Sequence, residues 1–321
     1  MSIESVTNNG LIWVNIQKPT RENMNIISKR YRFHELNIED SLSKVQIPKI
    51  DRYEDHFFMI LHFPVKKEKG KENNSSPRIS QLSIFAGDDY LVTVHQGDLK
   101  PLVDMFQLCN SYQQQRDVMM GKSSGYLLHS IIDVLVDDLF HILKKVIGNI
   151  HDIEDDVFDE HLAIAKEISL IRREITILRR TIFPLRRIVS LVTHLVQKVS
   201  EEDLTLYYDD VNDHIDTVIE ILEESREAIE IYKDTDFMLS TEKTNKILGI
   251  LTILFTLSIP ATVIGTFYGM NIELPGGIEE TGSSHFFAPY TTFIIIIVVS
   301  ITSALFMVWY FRKLGWIQFV K

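Results

Sequence analysis

The sequence predicts an α/β domain followed by a stalk of long helices and two C-terminal transmembrane helices. Residues 247–267 and 286–311 contain no charged side chain. At about 1.5 Å per residue, each run is long enough to cross a hydrocarbon core of roughly 30 Å as a helix. Between residues 149 and 248 the only glycine or proline is Pro184. Very long helices are therefore predicted between an α/β region and the membrane.

Short apolar segments in the first hundred residues predict the strands of the α/β domain, over residues 1–125. LIWVNI and HFFMILHFPV have the length and the β-branched or aromatic content of strands. ISQLSIF and YLVTVHQ flank the turn residues AGDD. This order of strand, turn and strand predicts a β-hairpin.

Long helices are predicted over residues 126–246, and the last of them shows a heptad pattern. Its apolar residues alternate at steps of four and three, with Ser225 in the one gap, and they are Leu204, Tyr208, Val211, Ile215, Val218, Leu222, Ile229 and Tyr232. By pattern alone, this seam lies either on its own domain or between subunits. Nothing from 204 to 248 breaks a helix. This continuity favours a stalk helix over about 204–246 that carries conformational changes to the membrane.

Charge distribution predicts the topology of the two spans, assigned to residues 247–267 and 290–311. The connecting loop, 268–289, contains no Lys or Arg, whereas basic residues lie before the first span and in the tail 312–321. Positive residues stay on the cytoplasmic side, so both termini are predicted to be cytoplasmic. The start, MSIESVTNNG, shows no cleaved targeting peptide.

Composition argues against several functional classes. A net charge of −11 argues against nucleic acid as a partner and is compatible with attracting cations. One cysteine, Cys109, excludes an intrachain disulfide and a thiolate metal cluster. The chain contains no glycine-rich phosphate loop, nucleophile motif or catalytic metal pattern, so we predict neither an enzyme nor an organic cofactor.

A polar stripe on the first span suggests a solute pathway. Two spans per chain cannot enclose such a pathway, so several subunits would have to surround a symmetry axis. Residues at three- or four-residue steps share one face, namely Asn245, Leu248, Leu251, Phe255, Ile259, Thr262 and Thr266. Hydroxylated residues in membrane helices also mediate helix packing, which is the alternative interpretation.

The segment YGMN, residues 268–271, resembles the signature of the CorA family of magnesium channels, which lies between two C-terminal spans. LVDD, RRTIFPLR, YYDDVNDH and KTN are further segments similar to that family. The resemblance implies a homopentameric channel in the plasma membrane, with a cytoplasmic α/β domain and a stalk continuous with a pore-lining first span. The cargo would be hydrated divalent cations, Mg²⁺ and also cobalt.

The resemblance also implies the selectivity filter, made of Gly269, Met270 and Asn271. Mg²⁺ holds its waters tightly, so a filter can hydrogen-bond to its first hydration shell. A ring of Asn271 amide carbonyls suits that task. Gly269 would permit a close turn, and Met270 would pack behind it with Tyr268. Cations would be concentrated outside by the loop acids Glu273, Glu279 and Glu280.

Cytoplasmic carboxylates between neighbouring subunits close channels of this family when internal Mg²⁺ is plentiful. The corresponding positions here are Asp210 on the stalk, Asp40 in the α/β domain, and Asp234 nearer the membrane. Mg²⁺ would thus be both cargo and regulatory ligand. Two departures from the family pattern are the sparsely basic tail and the bulk of Phe255 at a pore-facing position.

Two other functions remain open at this point. One is a carrier of Zn²⁺ or another transition metal in the same superfamily, with or without coupling to protons, because a filter that recognises hydration shells needs no soft ligands. A membrane-anchored sensor or scaffold is the other. Such a protein would not require a polar stripe that continues into the GMN motif.

Overall fold

The fold is described from a computed structural model of the chain. It describes residues 3–43, 46–65, 77–158, 164–197, 199–200, 202–270 and 291–315. Two compact units are present, Met1–Asp236 and Phe237–Lys321.

The first unit is built around a six-stranded sheet with the order β1-β2-β6-β5-β4-β3. Neighbouring strands are antiparallel, except that β2 and β6 are parallel. The predicted hairpin is confirmed, since Leu82 pairs with His95 and Ala86 with Leu91. The strands are β1 Ile3–Asn8, β2 Leu11–Gln17, β3 Lys49–Arg52, β4 His56–Val65, β5 Arg78–Gly87 and β6 Tyr90–His95.

Eight helices are described. The Thr20 side chain caps the first by accepting a hydrogen bond from the Asn23 N–H, and Ser123 caps the fifth in the same way. The helices are α1 Arg21–Tyr31, α2 Glu35–Leu42, α3 Lys100–Ser111, α4 Gln113–Met120, α5 Ser124–Asp156, α6 Ala165–Val196, α7 Thr205–Tyr268 and α8 Thr291–Lys313.

Both faces of the sheet are buried, which explains the nearly continuous apolar strands. On one face, Phe58 and Phe85 are in a cluster with Met24 of α1 and Ile38 of α2. On the other, Trp13 belongs to a larger cluster that includes residues of α3 to α7. The Trp13 indole N–H donates to the Thr93 hydroxyl at 3.1 Å, so its polar atom is satisfied inside the core.

The heptad seam lies inside the chain. Its residues from Leu204 to Ile229 are buried in the same cluster as apolar residues of α5 and α6. The Tyr208 hydroxyl donates to the Gly125 carbonyl of α5 at 2.9 Å. Between the two interpretations of this seam, the structure shows the one in which it packs on its own domain. An amphipathic helix buried against two neighbours produces the same spacing as a contact between subunits.

The second unit contains the end of α7 and the whole of α8. By length and composition, α7 and α8 could each cross a membrane, and their most apolar windows have mean hydropathies of 2.3 and 2.4. Helix α7 has no break from Thr205 to Tyr268, so the continuity predicted for residues 204–248 is confirmed, and the helix continues through Pro260. The predicted loop residues 271–289 lie outside the described residues.

Candidate functional site

The predicted filter begins where α7 ends. Helix α7 runs to Tyr268, and the next two residues remain in its last turn, with the Gly269 N–H donating to the Gly265 carbonyl at 2.9 Å. Gly269 does not have a positive φ, so a left-handed turn is not the reason for glycine here. A Cβ at this position would lie 3.2 Å from the Gly265 oxygen, a tight approach to backbone.

Several predicted filter and loop residues lie outside the described part of the chain. They are Asn271, Glu273, Glu279 and Glu280, and their roles stay predictions. Met270 is described and is exposed.

The predicted stripe lies on an exposed face of α7. All seven residues from Asn245 to Thr266 are exposed in the single chain. Residues that are partly shielded in the same segment fall on a different face, and they are Gly249, Ile253, Thr256, Leu257, Pro260 and Ile264. Several other residues of the segment are exposed as well, among them Ile250, Leu254 and Ala261, so the pore-lining role of the stripe stays a prediction.

Two hydroxyls near the C-terminal end of the stripe have a defined role in hydrogen bonding. Thr262 donates to the Ser258 carbonyl at 2.9 Å, and Thr266 donates to the Thr262 carbonyl at 2.7 Å. Each hydroxyl proton is thereby used within the helix, whereas the oxygen keeps acceptor capacity. Waters around a cation present their hydrogens outward, so these oxygens are suited to accept from them.

A metal-binding arrangement surrounds Asp210. One ligand atom from each of Asp133, Asp210 and His214 lies within 4.8 Å of the others. Asp210 and His214 are one turn apart on α7, and Asp133 faces them from α5. His214 Nδ1 also lies 3.6 Å from Asp137 Oδ1. This set of carboxylates with one imidazole could hold a divalent cation.

The charges of this cluster affect one another. Burial raises the pKa of Asp133, and the nearby Asp137 carboxylate raises it further, although His129 and His214 act in the opposite direction. His129 is buried, and its Nδ1 has no hydrogen-bond partner among the described residues. Burial lowers its pKa, so the ring is neutral at pH 7. A cation would relieve the carboxylate repulsion.

Sequence reasoning identified Asp210 but missed Asp133 and His214. Asp133 lies two residues before LVDD, and His214 is the last residue of YYDDVNDH, two segments that are similar to the family. The i, i+4 spacing of Asp210 and His214 placed them on one helix face. The approach of Asp133 depends on the packing of α5 against α7, about 77 residues apart in sequence, and this packing cannot be read from spacing.

The other two predicted regulatory acids are not in this cluster. Asp40 binds Lys49, with 2.7 Å between Oδ2 and Nζ, and its side chain is largely buried. Asp40 is therefore paired with a cationic side chain of its own subunit. Asp234 is exposed and lies 3.3 Å from Lys233 Nζ. The pairing of Asp40 with Asp210 across a subunit boundary stays a prediction.

Comparison with known proteins identifies the family. The model of the CorA-like Mg²⁺ transporter protein family matches residues 8–313. The chain is 27% identical over 308 residues to the cobalt/magnesium transport protein CorA of Thermotoga maritima, covering 95% of this chain and 83% of that protein. It is 25% identical over 310 residues to the putative metal ion transporter YfjQ of Bacillus subtilis, covering 96% and 91%.

The fold agrees with this comparison. The CorA magnesium transporter from Methanocaldococcus jannaschii superposes with a TM-score of 0.79 at 19% identity, covering 99% of both chains. That structure shares the soluble α/β domain, the long helix and the two apolar C-terminal helices. Since the family model spans nearly the whole chain, the protein belongs to the CorA-like Mg²⁺ transporter family.

Proposed function

We propose that this chain forms a homopentamer that conducts hydrated divalent cations, Mg²⁺ above all, across the plasma membrane. The observation that carries this proposal is α7, one helix that holds Asp210 near its start and the polar stripe near its end. Five such stripes around an axis would line a pathway, with Asn271 carbonyls at the outer mouth. Glu273, Glu279 and Glu280 would raise the local cation concentration there. Both termini would be cytoplasmic.

The pathway is tested at Asn271. If its amide oxygens bind the hydrated ion, Asn271→Ala should abolish Mg²⁺ uptake into proteoliposomes and leave assembly intact. Size-exclusion chromatography with light scattering checks assembly. The exposed Asn110→Ala of α3 is the control for loss of an amide far from the membrane segments. Normal Mg²⁺ uptake by Asn271→Ala would remove the filter from the proposal.

Internal Mg²⁺ would act at the cluster of Asp210, Asp133 and His214, together with acids of the neighbouring subunit. A closed state that binds the ion more tightly than the open state is stabilised by it. Limited proteolysis of the cytoplasmic part should therefore slow as Mg²⁺ is raised. Asp210→Ala and Asp133→Asn should both weaken this protection, whereas the exposed Asp104→Asn should not. If the rate of proteolysis does not depend on Mg²⁺, regulation by internal Mg²⁺ is disproved, but the proposed conduction pathway is not affected.

A second candidate cargo is a transition metal such as Co²⁺ or Zn²⁺, with or without proton coupling. It is favoured by the imidazole of His214 in the cluster, a ligand that Mg²⁺ rarely uses. Uptake of Mg²⁺, Co²⁺, Ni²⁺ and Zn²⁺ should be compared with and without a proton gradient. Mg²⁺ uptake at the same rate with and without the proton gradient supports the proposal of a Mg²⁺ channel. Gradient-driven Zn²⁺ uptake without Mg²⁺ uptake would replace it.

A further inference from the structure

One lysine joins two carboxylates in the α/β domain. Lys49 Nζ lies 2.7 Å from Asp40 Oδ2 and 2.6 Å from Asp51 Oδ2. Lys49 and Asp51 are two residues apart on strand β3, so their side chains share a face of the sheet. Asp40 reaches the same ammonium from α2. The three side chains therefore form an ion triad that ties a helix to an edge strand.

The triad is held in place by its surroundings. The Asp40 side chain is 19% exposed, and those of Lys49 and Asp51 are each 35% exposed. The Asp40 backbone carbonyl accepts a hydrogen bond from Gln81 Nε2 at 3.0 Å. Gln81 belongs to β5, so the end of α2 is also fastened to the sheet. These contacts hold the backbone that carries the Asp40 side chain beside the sheet edge where Lys49 lies.

The ammonium lies between oxygens of two carboxylates, at the distances of charge-assisted hydrogen bonds. It is a compact point charge with three donors, and two of them are used on carboxylate oxygens. A divalent cation with oxygen ligands would bind the same two carboxylates in the same way. Burial opposes the charge of Lys49, but its hydrogen bonds to Asp40 and Asp51 outweigh burial and raise its pKa. The group therefore remains an ammonium at neutral pH.

We propose that Lys49 is a tethered counter-cation of Asp40, and that it sets the Mg²⁺ concentration at which Asp40 takes part in regulation. A divalent cation that recruits Asp40 must first displace the ammonium or share the carboxylate with it. The lysine therefore raises the concentration needed for a response. This inference rests on the proposed regulation by internal cations, but it concerns a residue that this regulation does not include.

Two substitutions should shift the response in opposite directions. Lys49→Met leaves Asp40 and Asp51 facing each other without a cation, so Mg²⁺ should bind there more readily. Asp51→Asn leaves the ammonium to Asp40 alone, so Mg²⁺ should recruit Asp40 less readily. Because the triad is partly exposed, we expect each shift to be about fivefold in the Mg²⁺ concentration for half-protection.

The experiment uses the full-length protein, purified in detergent, and limited proteolysis over a Mg²⁺ titration. Lys29→Met on α1 is the control, since it removes one positive charge from an exposed position of the same unit. Lys49→Met combined with Asp40→Asn should lose the gain in sensitivity. This loss would locate the gain at Asp40. Circular dichroism at each Mg²⁺ concentration shows whether a variant is folded.

The outcomes separate this inference from the proposed function. A lower midpoint for Lys49→Met and a higher one for Asp51→Asn support it. Midpoints equal to that of Lys29→Met for both variants overturn it, even if the protein transports Mg²⁺. If Lys49→Met does not fold, the Asp51→Asn variant alone tests the inference. An Asp51→Asn midpoint equal to that of Lys29→Met then overturns the inference. Failure of the proposed function would appear instead as an absence of cation uptake by the unmodified protein.

Discussion

At the scale of single residues, Gly125 lies where α5, the end of α6 and the start of α7 come together. A Cβ on this glycine would lie 2.6 Å from Val196 Cγ1 and 3.0 Å from Leu204 Cδ1. Its carbonyl also accepts the hydrogen bond of the buried Tyr208 hydroxyl. Close approach, and not a special φ angle, therefore requires glycine at this position.

Replacement of this glycine tests the packing of the three helices. Gly125→Ala should lower the free energy of unfolding by about 2 kcal/mol, because the added methyl group forces neighbouring side chains apart. Gly148→Ala in the same helix is the matched control, since no atom lies within 4 Å of its added Cβ. The control should raise stability by up to about 1 kcal/mol through helix propensity. Thermal unfolding in detergent measures both, and equal effects would contradict this account.

His95 gives the first unit a dependence on pH. Its Nδ1 accepts a hydrogen bond from the Gly97 N–H at 3.1 Å, so the proton is on Nε2, which donates to Asn15 Oδ1 at 3.0 Å. Burial lowers the pKa of His95 from 6.5 to about 4. The unfolded chain therefore binds a proton at a pH where the folded chain does not.

The sign of the effect follows from this difference. The stabilisation of the folded state that depends on neutral His95 is fully present above pH 6.5, and it is lost as the pH falls from 6.5 to about 4. The loss is at most about 3 kcal/mol. His95→Gln should flatten the fall of the unfolding midpoint over this range, whereas His141→Gln, at an exposed position of α5, should not. A slope that His95→Gln leaves unchanged would show that other groups are responsible.

At the scale of elements, α6 and α7 are joined by a ladder of three ion pairs. Arg172, Arg179 and Arg186 of α6 pair with Glu230, Glu223 and Asp216 of α7. Each step along the ladder is seven residues on both helices, in opposite directions. This spacing keeps all three pairs on one face of two antiparallel helices. One turn further along α7, Glu220, Glu227 and Asp234 repeat the same spacing, so the ladder joins the two helices but does not by itself set their register.

The central pair tests how much the ladder stabilises the contact of α6 with α7. Arg179 Nε donates to Glu223 Oε1 at 2.8 Å, and both side chains are about two-thirds buried. Arg179→Glu should cost about 1–2 kcal/mol of unfolding free energy, because it places two carboxylates together. Adding Glu223→Arg should restore most of that loss, and the exposed Arg180→Glu is the control. A double variant no more stable than Arg179→Glu would show that this pair does not stabilise the contact of α6 with α7.

The elements that could be predicted from sequence are those whose signal is local. The hairpin of β5 and β6, the unbroken α7 and the apolar α8 each follow from turn residues, helix breakers or hydropathy within one segment. The seam on α7 was detected as well, but its partner was not, because an apolar stripe does not specify what covers it. The parallel pairing of β2 with β6 could not be predicted either, since these strands meet across more than seventy residues.

In the candidate site, too, only the residues with a local sequence signal could be predicted. Asp210 was found through a local motif, and the stripe on α7 through helical spacing. Asp133 and the pairing of Asp40 with Lys49 depend on contacts between elements, which spacing does not reveal. The resemblance to a family identified Asp40 but not the lysine beside it, since a motif gives the type of a residue and not its partners.

At the scale of the whole molecule, the continuity of α7 is the proposed route from the cation cluster to the pathway. Glu227→Gly with Ala228→Gly would cost roughly 1 kcal/mol each in helix propensity and make one turn of α7 less rigid. We expect this variant to conduct Mg²⁺ and to lose most of its inhibition by internal Mg²⁺. Uptake into liposomes loaded with or without Mg²⁺ measures the inhibition.

The control keeps the helix and removes the charge. Glu227→Ala alone changes the same exposed position without adding glycine, so inhibition should remain. If the double-glycine variant is inhibited as strongly as the unmodified protein, the signal does not travel along this helix. Movement of the first unit as a whole would then be the alternative route.

The parallel pairing of β2 with β6 has a consequence for biosynthesis. The hairpin of β1 and β2 emerges from the ribosome before β6, the strand that must lie beside β2, which begins only at Tyr90. At about 5–20 residues per second, several seconds separate the two strands, and apolar residues such as Trp13 remain uncovered meanwhile. Chaperones that bind nascent chains would shield the hairpin in this interval. All of Met1–Asp236 is translated before the apolar residues 247–267, so folding of the first unit can precede membrane insertion.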